Sequence, residues 1–166
     1  MKLIGMVFIV CASGYAGIQI AMSLKARCNL FRQLQRTLQM LNHEISFCGT
    51  PLPHAFAVLA AANSGLLERI FSRAAKEMDK RRWLTPSGAM DLALADCQDE
   101  TISEVLRELA SRLGKYDREA QLSGIEAAKD RVEQLLMELE QDRGQKSKVY
   151  QTLGVCAGLA AAILLI

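Results

Sequence analysis

The sequence predicts an all-α protein, a helical domain fixed to a membrane by a helix at each end. Two observations carry this expectation. Every acidic residue, and every basic residue except Lys2, lies between two charge-free terminal segments. Between those segments apolar residues recur at the spacing of one helix face, and no run alternates with the period of two expected of a half-buried strand.

Leu3 to Leu24 reads LIGMVFIVCASGYAGIQIAMSL, twenty-two residues without a charge, and Val149 to Ile166 reads VYQTLGVCAGLAAAILLI, again without one. Each is about the length needed to cross a hydrocarbon core of roughly 30 Å. The expected organisation is a transmembrane helix at 3–24, a helical domain at 25–148 and a second transmembrane helix at 149–166. A signal peptide is the alternative for the first segment, with Lys2 ahead of the apolar run and small residues at Ala12-Ser13-Gly14. One lysine is a thin basic region, the apolar run continues past that point, and Val10 stands before Cys11 where a lipoprotein signal carries a small residue. A retained helix fits these facts better.

Basic residues set the orientation. Lys25, Arg27, Arg32 and Arg36 flank the first segment, and Arg143, Lys146 and Lys148 flank the second, against Lys2 alone on the far side. Cations concentrate on the cytoplasmic side, so the domain is expected there and both termini on the other side.

In LFRQLQRTLQMLNHEI the residues Leu30, Leu34, Leu38, Leu41 and Ile45 fall on one helical stripe. Nothing interrupts the chain between this stripe and the first apolar segment, so one helix is expected from the bilayer to about Phe47, with Gly49 ending it. Two similar starts follow, TPLPHAFAVLA from Thr50 and TPSGAMDLALA from Thr85. In each, threonine is expected to cap the helix and proline to occupy its first position, where a missing N–H is harmless. Eleven residues do not decide between an internal duplication and convergent capping.

Between them, GLLERIFSRAAKEMDKRRW places Leu66, Leu67, Ile70, Phe71, Ala74 and Met78 on one face and ends in the basic run Lys80, Arg81, Arg82. A solvated helix end favoured by the helix dipole accounts for that run. Ile102, Val105, Leu106, Leu109 and Leu113 mark the next helix, which Gly114 stops. From Asp117 a long helix is expected, with Leu122, Ile125, Val132, Leu135, Leu136 and Leu139 on its stripe, continuing into the second membrane segment over roughly 70 Å.

The net charge of +2 gives no strong field for nucleic acid or acidic substrates. The five cysteines, Cys11, Cys28, Cys48, Cys97 and Cys156, form no CxxC pair and read as small buried apolar residues. His43 precedes Glu44 without an HExxH pattern, and His54 sits in the first turn of a helix, so neither histidine reads as catalytic or as a metal ligand. There is no P-loop and no GxGxxG, and no cofactor is expected.

Arg112 to Gln121, RLGKYDREAQ, gathers ionisable side chains of both signs around a glycine. With Gly114 ending one helix and Asp117 capping the next, Asp117 and Glu119 have local work at a helix start. Lys115 and Arg118 do not. The candidate interaction residues are therefore Lys115, Arg118 and Gln121 at this corner, with Lys80, Arg81 and Arg82 as a second surface.

The KLIGMVFIV opening, LQMLNHEI followed by GTPLPHAF, the RLGKYDREAQ corner and the closing YQTLGVCAGL together resemble the stage III sporulation protein AB family (SpoIIIAB) of endospore-forming bacteria. The segment from Asn63 to Asp99 matches no motif, and Gly124 stands where a bulkier or polar residue is expected. The resemblance implies a mother-cell membrane protein working with the other stage III sporulation A proteins in a complex joining mother cell and forespore. It also implies a domain similar to the cytoplasmic F-domain of the type II secretion platform, and a secretion-type ATPase of the same operon as partner. Self-association is left open. Two other readings stand beside a non-enzymatic platform: a membrane-anchored regulator that binds a soluble signalling protein, and a membrane enzyme using His43 and Glu44. The residues argue against the last alone.

Overall fold

The computed structural model describes the backbone of residues 2–114 and 118–165 and the side chains of residues 22–114 and 118–142. Helix α1 (Lys2–His43) passes into a π-helical turn, Glu44–Cys48, and is followed by α2 (Leu52–Ala62), α3 (Leu66–Lys80), α4 (Pro86–Leu94), α5 (Glu100–Arg112) and α6 (Arg118–Leu165). The described residues contain no strand. The chain forms two compact units, one of Phe31–Gln134 and the other of Met1–Leu30 with Leu135–Ile166.

The Phe31–Gln134 unit has one apolar core. Leu34, Leu38 and Leu41 are fully buried and Ile45 nearly so, the stripe that the four-three spacing predicts. Leu30, at its outer end, is only half-buried. Beside the stripe Thr37 is buried too, a polar side chain that the pattern alone does not explain. Its hydroxyl lies 2.8 Å from the Gln33 carbonyl and 2.8 Å from Asn63 Oδ1, so burial leaves it satisfied. The Asn63 amide in turn donates to the Leu59 carbonyl at 2.7 Å, which ties α1 to the end of α2.

Helix α3 packs between α2 and α4, and α4 also packs against α5. Leu67, Ile70, Phe71, Ala74 and Met78 form the buried face of α3, and Phe71 meets Phe56 of α2 with ring centres 5.7 Å apart. Ile102, Val105, Leu106, Leu109 and Leu113 are buried as their spacing predicts. Ion pairs such as Arg73–Asp96 at 2.6 Å and Arg107–Asp91 at 3.2 Å lie at the exposed surface, where they add little stability.

The two threonine-proline starts differ. The Thr85 hydroxyl accepts the Gly88 N–H at 3.2 Å and Pro86 opens α4, as expected. Thr50 does not cap α2. Its hydroxyl instead donates to Glu44 Oε2 at 2.6 Å, and Pro51 occupies the cap position without a side-chain hydrogen bond. Helix α5 carries a cap of its own, with Asp99 Oδ1 accepting the Ile102 N–H at 3.2 Å. Cysteines also depart from expectation. Cys28 is buried, but Cys48 is exposed at the end of the π-helical turn.

Gly124 explains itself in three dimensions. A Cβ at this position would lie 2.9 Å from Arg112 Cβ and 3.0 Å from its Cδ, so glycine is what lets α6 approach α5 here. Gly124→Val should therefore lower stability by about 1–3 kcal/mol, the usual cost of overpacking. Thermal unfolding of the full chain measures it, and an unchanged midpoint would show that the two helices have room to spare.

In the second unit the backbone is helical through 2–30 and 135–165. Among the described residues no helix is long and apolar enough to cross a membrane. The two segments expected to do so, 3–24 and 149–166, lie almost wholly outside the residues whose side chains are described.

Candidate functional site

The π-helical turn shapes the best candidate site. Gly49, with φ of 60°, ends the turn in the left-handed conformation, and both its N–H and that of Thr50 return to the Glu44 carbonyl. The Thr50 hydroxyl adds the bond to the Glu44 carboxylate already described. Glu44 thus holds Gly49 and Thr50 through both its carbonyl and its carboxylate, and the Pro51 carbonyl accepts from the Ala55 N–H at 2.9 Å to launch α2.

A second turn lies opposite. Leu113 is buried at the end of α5, and Gly114 follows with φ of 73°. A Cβ there would stand 2.9 Å from Pro86 Cγ, so the corner needs glycine both for its backbone and for its contact with α4. Helix α6 starts at Arg118, with Glu119 in its first turn.

The end of the π-helical turn, the start of α2 and the first turn of α6 border an open cavity of about 300 Å³ lined by Ile45, Gly49, Thr50, Pro51, Leu52, Arg118 and Gln121. Its lining mixes an apolar wall, from Ile45, Pro51 and Leu52, with a guanidinium and an amide from successive positions on one face of α6. Among the described residues no carboxylate lines it. This chemistry suits an acidic side chain with an apolar neighbour, and offers no nucleophile with a base.

Two of the predicted corner residues, Arg118 and Gln121, are thus brought together. The third, Lys115, and the expected cap Asp117 lie outside the described residues. Lys80, Arg81 and Arg82 do not line the cavity. They are exposed at the end of α3, where Arg81 lies 3.7 Å from Glu77. His43 rests against Phe47, ring centres 5.2 Å apart, and Glu44 is committed to Thr50, so the pair has structural roles in the turn. His54 is exposed on α2. Among the described residues no group of His, Cys, Asp and Glu could hold a metal ion.

Gly49 to Leu52 are the residues that chemical reading of the sequence did not place at a site. Their signal was present in the GTPLPHAF motif, but as a helix start. Trp83, 79% exposed, was missed entirely.

Fold and cavity together define an all-helical protein with a basic, partly apolar corner formed by two helix starts. The chain belongs to the stage III sporulation protein AB family, whose model matches residues 2–166. It is 32% identical over 171 residues to stage III sporulation protein AB of Bacillus subtilis (strain 168), covering 99% of each chain. A solved structure of stage III sporulation protein AB (SpoIIIAB) superposes with a TM-score of 0.63 at 27% identity, covering 70% of this chain and 94% of that one. Membership gives the chain a role in sporulation.

Proposed function

We propose that the chain is a non-enzymatic platform of the stage III sporulation complex, anchored in the mother-cell membrane by 3–24 and 149–166, with 25–148 as its cytoplasmic domain. The corner at Arg118 and Gln121, extended by Lys115, receives an acidic segment of a secretion-type ATPase. The observation that carries this reading is the cavity itself, where GTPL and the start of α6 meet around Arg118. Arg118 makes no ion pair among the described residues, and it sits at the positive end of a helix, where the dipole disfavours a cation. A side chain that departs from the local rule without a local partner fits a residue kept for an external one. The other stage III sporulation A proteins are the remaining partners.

Topology tests the anchored half of the proposal. In a cysteine-free full-length chain, Glu100→Cys should resist an impermeant thiol reagent in intact cells, and Ile166→Cys should react. The reverse pattern would remove the cytoplasmic assignment and, with it, access to an ATPase.

A further inference from the structure

The loop between α3 and α4 holds an indole in water. Trp83 is 79% exposed, as far out as any large apolar side chain among the described residues. Disorder does not explain it. The Leu84 N–H donates to the Arg81 carbonyl at 2.8 Å, closing a turn with Arg82 and Trp83 at its tip. Both flanks are fixed: the Arg81 N–H closes α3 on the Glu77 carbonyl at 3.0 Å, and Thr85 caps α4. Leu84, half-buried, lies over Gly88. The neighbours that remain are cations: Lys80, Arg81 and Arg82 are all exposed. Against them stand Glu77, which Arg81 already approaches, and Asp79.

We propose that the Lys80–Trp83 tip binds the surface of an anionic lipid bilayer. An indole is most stable at the level of lipid headgroups, where its ring is shielded and its N–H stays wet. Adjacent cations meet the lipid phosphates. A protein groove would call for further apolar contacts around the indole, as in a packed interface centre, and the tip has none. One indole and three cations bind weakly by themselves, and tethering supplies the rest by raising the local concentration of bilayer. In this respect the proposal rests on the membrane anchors at 3–24 and 149–166.

Trp83 is the only tryptophan in the chain, so its fluorescence reports on this loop alone. The full chain is mixed with vesicles of phosphatidylcholine, or of phosphatidylcholine with phosphatidylglycerol. With phosphatidylglycerol the emission should shift to the blue and acrylamide quenching should fall at least about twofold, both reversing in high salt. Inorganic phosphate should not reproduce the shift. Lys80→Glu with Arg82→Glu should abolish it, and Lys80→Gln with Arg82→Gln should weaken it, circular dichroism showing both variants folded. Emission that stays that of a water-exposed indole in the anionic vesicles overturns the proposal. So does an indole shielded as fully in phosphatidylcholine as in the anionic vesicles, which would mean that the cations do not select the surface. Flotation separates the anchors from the loop. A chain that floats with both lipids while Trp83 remains in water overturns the loop and leaves the anchors standing. One that floats only with phosphatidylglycerol overturns the anchors and, with them, the tether on which the proposal rests, and one that floats with neither overturns both.

Discussion

Leu38→Asp should unfold the Phe31–Gln134 unit. Leu38 is fully buried at the centre of the α1 stripe, between Leu34 and Leu41, which are fully buried as well. Its neighbour Thr37 has already found its oxygen partners, so nothing on this face is waiting for a charge. Burying an unpaired carboxylate costs several kcal/mol, comparable to the roughly 5–15 kcal/mol that holds a domain together. Met40 supplies the control, being 37% exposed on the same helix. Met40→Asp should stay within about 0.5 kcal/mol of the parent. Circular dichroism melts of the full chain in detergent compare the three. Equal melting of the parent and Leu38→Asp would mean that the core face has been assigned to the wrong side of α1.

Charge reversal at the corner has the second large effect. Lys115→Glu with Arg118→Glu should leave the fold intact, because Arg118 is exposed and surface charges seldom alter stability by more than about half a kcal/mol. Glutamate at residue 118 would even suit the helix start better than arginine does. Binding to the secretion-type ATPase should nevertheless weaken by about 2 kcal/mol or more, roughly thirtyfold, as two cations facing carboxylates at a desolvated contact require. Calorimetry of the solubilised chain with the purified ATPase, at low and physiological salt, reads the change. Unchanged affinity in a folded double mutant would reduce the corner to a polar helix turn.

Periodicity made most of the helical core legible. Apolar residues three and four apart can share a buried face only in a helix, and Gly49 and Gly114 stop helices where the backbone turns left-handed. Local motifs were less reliable. Thr50 and Thr85 begin stretches that resemble each other, but only Thr85 caps its helix: Pro51 holds the cap position of α2, and Thr50 bonds instead to Glu44, which opens the preceding turn. The spacing in a helix start carries no information about that competitor. Gly124 looked out of place in one dimension because its reason, Arg112, is on another helix.

The site was half legible for the same reason. Arg118 could be chosen from its helix, since the acidic residues beside it had local work and it did not, and Gln121 followed as part of the same corner. Their partners Gly49 to Leu52 come from a turn far away in sequence, and no spacing rule joins the two. Trp83 escaped because it lies beyond the last residue of the α3 stripe, where periodicity no longer says which side of a turn a side chain takes.

Copurification of the full-length chain from sporulating cells tests the platform most directly. Solubilised membranes should yield the chain together with the other stage III sporulation A proteins and the secretion-type ATPase, and the Lys115→Glu, Arg118→Glu variant should keep the membrane components while losing the ATPase. Recovery of a soluble signalling protein in place of both would contradict the platform and establish an anchored regulator.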